Sequence, residues 1–235
     1  MSGDEQHLND LGQPIGFPLP GWSERPRPPR TPVAGGFCTV EPLDPERHAA
    51  QLFDANSEDR NWTYLPYGPF ATLAAYRQWV EAVSRADDPL FYAIVDHASG
   101  QAVGVASLMR IDPKPGVIEV GGINYSPRLQ QRPAATESMY LLMRRVFDEL
   151  GYRRYEWKCD SLNAPSRAAA QRLGFRYEGL FRQATVYKQR NRDTAWFSIL
   201  DSEWPALRGA FEGWLDPSNF DAAGKQRRSL ASFRS

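Results

Sequence analysis

The stretch from Tyr125 to Leu150 limits most what this chain can fold into. Met139, Leu142, Met143, Val146, Phe147 and Leu150 recur at i, i+3, i+4, i+7, i+8 and i+11 with charges between them, the repeat of a long helix with one apolar face. That face needs a sheet to lie against. The residues before it, Gln130-Gln131-Arg132-Pro133-Ala134-Ala135-Thr136, form a tight polar loop with small side chains where the helix begins, so backbone N–H groups can approach a ligand closely. The first-turn amides of a helix lack partners and lie at the positive end of its dipole, so such a start binds anions. An ordinary helix start satisfied by water fits the same residues.

A chain of 235 residues suffices for one sizeable core. We expect an extended Pro/Gly-rich arm over 1–35, one domain over 36–216 and a basic polar tail over 217–235. Lys plus Arg equals Asp plus Glu at 28 each, so bulk charge gives no case for nucleic acid or membrane. Cys38 and Cys159 make no disulfide framework, and no run of about 18 apolar residues or signal segment is seen. A soluble, cytoplasmic protein is expected, monomer or homodimer. His7, His48 and His97 show no ligand spacing, and no metal is expected.

Seven prolines between Pro14 and Pro32 exclude a helix or central strand there. Residues 37–41 read as a first strand, Pro45 to about Asn56 as a helix, and Thr72 as the cap of a helix ending near Ala86. Between these helices lies an uncharged aromatic loop, 61–70, with Trp62, Tyr64 and Tyr67. Strands follow at 90–95, 102–111 and 117–125, with Gly121-Gly122 suggesting a bulge or a close backbone approach in the last. Residues 154–159 alternate as a strand, and Asn163 caps a short helix that Gly174 closes. Strands at 175–183 and 196–200 flank a polar hairpin tip at 188–193, and a last helix runs from about Ser202 to Leu215.

Gln130-x-x-Pro133-x-Ala135 resembles the Gln/Arg-x-x-Gly-x-Gly/Ala pyrophosphate loop of the GNAT (GCN5-related) N-acetyltransferases. Asn163-x-x-Ser166, Gly174-Phe175 and Glu178-Gly179 resemble the signature of the RimJ/RimL-like branch, and the likeness covers roughly residues 36–205. The resemblance implies an α/β (α+β) fold: a single domain with a mixed, mostly antiparallel central sheet of about seven strands, splayed in the middle, with helices on both faces. It implies acetyl-CoA as co-substrate, its pantetheine arm bonding the strand backbone at Ile123 and Tyr125. Pro133 departs from the pattern and removes one N–H donor. A phosphate would then rely on the amides of Gln131, Arg132, Ala134, Ala135 and Thr136, with Gln130 in the motif and Arg132 and Arg167 beside it.

Acetyl transfer to an amine needs an anchored donor, a deprotonated amine, a stabilised oxyanion and a proton for the leaving thiolate. In the resembling branch the serine matching Ser166 lies near the sulfur and supplies that proton. Within this sequence Ser166 fits equally a hydrogen bond in its helix's first turn. The tyrosine that many relatives carry stands here as Ala170, and a glutamate used by some as Thr185. Glu119 is the candidate base, acting through water, or else a strand residue that pairs with an arginine. A backbone N–H around Gly122 to Asn124 is the candidate oxyanion donor. Asn163 either contacts the donor's amide or only caps its helix. Trp62, Tyr64 and Tyr67 are candidate acceptor walls, for a small-molecule amine or a peptide N-terminus. The rival reading is an acyl-CoA-binding module without catalysis, and a longer donor such as succinyl-CoA stays open.

Overall fold

A computed structural model describes residues 7–222 and 224–234. The proline-rich start forms only two-residue strands: β1 (His7–Leu8) paired with β2 (Pro14–Ile15), and β3 (Val33–Ala34), which joins the main sheet beside β4 (Cys38–Pro42). This segment lies on the domain. Trp22 Nε1 donates to the Lys114 carbonyl at 2.9 Å, and the buried Arg145 donates to the Thr31 carbonyl at 2.7 Å.

Helix α1 (Pro45–Ala55) starts where Asp44 accepts the Glu46 and Arg47 amides, and α2 (Leu73–Ser84) where Thr72 accepts the Ala75 amide. A 3-10 turn, Asp59–Trp62, lies between them. Strands β5 (Leu90–Asp96), β6 (Gln101–Asp112) and β7 (Val117–Tyr125) form an antiparallel meander. Helix α3 (Pro133–Arg144), continued by a π-turn over Arg145–Glu149, returns the chain to β8 (Arg154–Asp160), parallel to β7. Helix α4 (Ala164–Leu173) ends at Gly174, whose φ of +104° suits a residue without a side chain. The hairpin β9 (Arg176–Tyr187) and β10 (Arg190–Leu200) and helix α5 (Trp204–Leu215) follow.

The sheet order is β3-β4-β5-β6-β7-β8-β10-β9, with β7 and β8 the one parallel pair. Its eight strands are one more than expected, because the arm contributes β3. Helices cover both faces. Met139, Leu142 and Met143 of α3 and Val146 of its π-turn pack with Tyr155, Phe197 and Phe211 on one side, while Leu52, Trp62, Tyr76 and Val80 pack with Phe91 and Val105 on the other. Each such side chain contributes ~1.5–3 kcal/mol by leaving water. Besides its periodic face, α3 buries Glu137, Ser138, Tyr140 and Leu141, because the arm and α5 close its remaining sides.

One local expectation is corrected. The tip expected at 188–193 is a two-residue turn, Lys188-Gln189, with φ of +47° and +58°, and Arg190 already pairs with Tyr187. Left-handed geometry at both central positions matches the strand twist and closes a hairpin in two residues, and the polar residues after it belong to an extended, exposed ribbon. Beyond α5 the chain folds back: Leu230 is buried, and Asn219 donates to the Trp214 carbonyl and accepts the Arg228 amide. Among the described residues no helix is long and apolar enough to cross a membrane.

Candidate active site

Strands β7 and β8 pair from Val117 with Arg154 to Val120 with Trp157, and no further. Beyond Val120 they part. The cause is a bulge: Val105 faces Asn124 but Ser107 faces Gly121, so β7 carries an extra residue there. Gly122 sits in it with φ +57°, and a side chain at that position would meet the Phe91 ring and Ser107 Oγ. Tyr67 reaches the same point, its hydroxyl donating to the Gly122 carbonyl at 3.3 Å. From Gly121 to Tyr125, the β8-facing backbone of β7 has no strand partner among the described residues, so an extended chain can enter and bond as a strand would. Ile123 and Tyr125 pack their side chains against the core, with the Tyr125 hydroxyl 2.6 Å from Ser138 Oγ of α3, so what they offer a ligand is backbone.

The loop after β7 folds tightly at the mouth of this gap. Leu129 and Gln130 both donate their amides to the Ser126 carbonyl, and the Gln130 side chain donates to the Tyr125 carbonyl at 2.7 Å. Gln130 thus braces the loop. Gln131 takes φ +61°, a conformation costing a non-glycine residue ~1 kcal/mol or more. Of the five expected amide donors, Arg132 already donates to the Leu129 carbonyl and Ala135 to the Arg132 carbonyl, while Gln131 and Ala134 have no backbone partner among the described residues. Pro133 occupies the first helical position, where a missing N–H costs least. Thr136 turns its hydroxyl to Arg172, which donates at 2.7 Å. Arg172 thereby stands at the first turn of α3, a placement no spacing in the sequence signals because the contact spans two helices. Arg132 and Arg167 are exposed, the latter donating weakly to the Ser161 carbonyl at 3.3 Å.

On β8 and α4, Asn163 caps the helix by accepting the Ser166 amide at 3.1 Å, and Trp157 Nε1 donates to Ser166 Oγ at 3.0 Å. A hydroxyl that accepts one bond keeps its own proton for another partner. Burial pushes the neighbouring Cys159 thiol up, against an opposing hydrogen bond from Ser166, so this cysteine is no ready nucleophile. Ala170 is fully buried in the core.

Glu119 is buried and paired, its Oε2 lying 2.6 Å from Arg110 and 2.9 Å from Lys158. Lys158 also touches Glu156 at 2.7 Å, with its ammonium 3.8 Å from the Trp196 ring centre. The arginine pairing left open in the sequence is therefore present, and both cations compete for the lone pairs a base would use. Trp62, taken from sequence as an acceptor wall, is a core residue: its indole donates to the Asn56 carbonyl, and Tyr67, Phe70 and Tyr76 pack edge-on against it. An uncharged aromatic run looks alike whether it packs or binds. Tyr64 and Tyr67 remain at the gap, Tyr64 donating to the Leu162 carbonyl at 3.1 Å.

A mixed sheet parted between two parallel strands, with a helix start at the opening, is the architecture of an acyl-CoA-dependent acyltransferase. Comparison with known proteins agrees. The profile of the acetyltransferase (GNAT) domain matches residues 38–176. A GCN5-related N-acetyltransferase from Brucella melitensis is 52% identical, with TM-score 0.90 over 92% of this chain and 99% of that one. A probable acetyltransferase (GNAT family) from Chromobacterium violaceum is 42% identical, with TM-score 0.77 over 82% and 98%. The microcin C7 self-immunity acetyltransferase MccE, in complex with acetyl-CoA and AMP, shares the fold at 20% identity, TM-score 0.63, over 71% and 93%. No curated protein matches the sequence. The chain belongs to the GNAT acetyltransferase family.

Proposed function

We propose that this protein moves an acetyl group from acetyl-CoA directly to a primary amine, of a small molecule or a peptide N-terminus, within a ternary complex. The observation that carries this reading is the parting of β7 from β8 after Val120, directly ahead of the loop and of α3. A pantetheine arm laid along Gly121–Tyr125 would take strand-like bonds from Ile123 and Tyr125, and its pyrophosphate would meet the amides of Gln131 and Ala134, with Thr136, Arg132, Arg167 and Arg172 nearby. A relative of this fold holding acetyl-CoA supports the choice of donor. Ser166 protonates the leaving thiolate in this reading, which is supported by the Asn163 and Trp157 bonds that hold it. The Asn163-x-x-Ser166 pattern favours the RimJ/RimL-like branch.

The test is thermal stability with and without acetyl-CoA, followed by free-thiol release against amines, amino acids and peptides. Stabilisation with amine-dependent release is expected. Stabilisation without release from any amine would favour the non-catalytic binding module, whose supporting features are Ala170 and Thr185 where relatives carry catalytic groups.

A further inference from the structure

The deprotonation of the acceptor amine is the step for which the family-like motifs leave no residue, and the buried carboxylates on the face of the sheet opposite α3 differ in one respect. Glu119 and Glu156 are each paired with two cations, Glu119 with Arg110 and Lys158, and Glu156 with Lys158 and Arg154. Asp160, as buried as these, forms no ion pair among the described residues. Its Oδ1 accepts the Leu162 amide at 2.9 Å and its Oδ2 the Tyr187 hydroxyl at 2.8 Å. A buried carboxylate without a cation of its own suits a cationic ligand.

Its position fits the chemistry. Val120 and Trp157 are the last parallel pair, so Ile123 and Asp160 each lie three residues beyond it on the two parted strands. Asp160 therefore stands across the gap from the bulge. Lys158 faces Trp196 in the register while Cys159 faces the buried Ala195, which puts Asp160, like Lys158, on the face opposite α3. Hydrogen bonds close a ring around this point: Tyr64 to the Leu162 carbonyl, Leu162 to Asp160, Tyr187 to Asp160, then Lys188 to the Trp62 carbonyl at 2.7 Å and Arg190 to the Thr63 carbonyl at 2.8 Å. The aromatic loop, the end of β8 and the β9–β10 turn thus converge on one carboxylate.

We propose that Asp160 receives and deprotonates the acceptor amine, and that Tyr187 passes the proton outward. The proposal rests on the transferase reading above. The ammonium gives one proton to the Asp160 carboxylate; the Tyr187 hydroxyl then turns its hydrogen from Oδ2 to solvent, and releases it to water as its oxygen takes the proton of Asp160. The freed nitrogen lone pair forms a C–N bond at the thioester carbonyl, and the C–S bond breaks with its electron pair on sulfur. Ser166 protonates that thiolate and recovers a proton from the new amide nitrogen, so the products are the acetamide, CoA thiol and one proton to solvent, with nothing oxidised or reduced. Tyr187 is no base itself: burial and then Asp160 push its pKa up to about 12. Lys158, Cys159, Arg167, Arg190 and Arg192 are the other charged or titratable groups around the pair.

The test uses the full chain with acetyl-CoA and three probe amines, tyramine, spermidine and a free tripeptide, following thiol release from pH 5 to 9. Asp160→Asn keeps an acceptor for the Leu162 amide and turns its NH2 to Tyr187, whose hydroxyl oxygen can accept in place of donating. Acetyl-CoA stabilisation and its KM are therefore expected to stay while kcat falls ~10²–10³-fold and the acidic limb of the pH profile disappears. Asp160→Glu is expected to restore part of kcat, and Tyr187→Phe to lower it ~10-fold and displace the acidic limb without unfolding the protein. An Asp160→Asn enzyme within about threefold of wild-type kcat, or with an unchanged acidic limb, overturns the proposal while leaving the transferase reading intact. Should Asp160→Asn not fold, an unmoved limb in Tyr187→Phe overturns it instead. No release by the wild type with any of the three amines overturns both.

Discussion

The Trp157 indole donates to the Ser166 hydroxyl oxygen at 3.0 Å, tying β8 to the first turn of α4 beside the opened strands. With the Asn163 side chain holding the Ser166 amide, the hydroxyl is fixed in place, and a ligand's sulfur would take its proton in competition with the Cys159 thiol. Ser166→Ala is therefore expected to lower amine-dependent thiol release by ~10²-fold or more while leaving acetyl-CoA binding nearly unchanged. Turnover kinetics beside a calorimetric titration of CoA separate the two effects. A variant with wild-type turnover would reduce Ser166 to a helix-start residue.

Lys158 sits between two buried carboxylates and against an indole. Lys158→Met removes the shared cation but keeps the length of the side chain. Glu119 keeps Arg110 and Glu156 keeps Arg154, so each carboxylate loses one of two charged hydrogen bonds, and a loss of about 1.5–3 kcal/mol of stability is expected. Urea unfolding reads this directly, and a change below ~1 kcal/mol would mean that water already screens the cluster.

The Glu137 carboxylate accepts the amides of Gly36, Phe37 and Cys38 at 2.6–2.7 Å, and so clamps the start of β4 to α3. Gly35 has to be glycine here, since a side chain would meet that carboxyl group. Glu137→Gln leaves donor facing donor, with an expected cost on the order of 2–3 kcal/mol. Hydrogen exchange adds a local check, because the amides of 36–38 should lose protection before those of β6. Equal protection in both proteins would argue against the clamp.

His48 is buried, accepts the Asp44 amide on Nδ1 and has Nε2 without a hydrogen-bond partner. Burial, and then Arg47, hold its pKa below the ordinary value. The folded state therefore binds a proton less readily than the unfolded chain, whose histidine titrates near ~6.5. Stability from this site is complete above that pH and is lost as pH falls through it. His48→Asn, which keeps an acceptor for the Asp44 amide, should flatten the thermal midpoint between pH 5 and 7. Parallel curves for the two proteins would rule out His48 as the source.

Local patterns already marked nearly every helix and strand from Cys38 to Leu215, because 3.6-residue and 2-residue repeats, capping side chains and glycine stops act within a few positions. The caps at Thr72 and Asn163, the end at Gly174 and the bulge at Gly121-Gly122 were all legible for that reason. So was the loop that opens α3. Contacts between distant elements were not. Trp62 lies in the core, Glu119 has two cations, Asp160 has a tyrosine and no ion pair among the described residues, and β3 extends the sheet, each through strand register, twist or packing that no local repeat records. Residue identity alone thus determined which segments become helix and strand and which family they resemble. Tertiary structure decided which carboxylates are paired with cations and which with a hydroxyl, because a charge finds its partners through space and not along the chain.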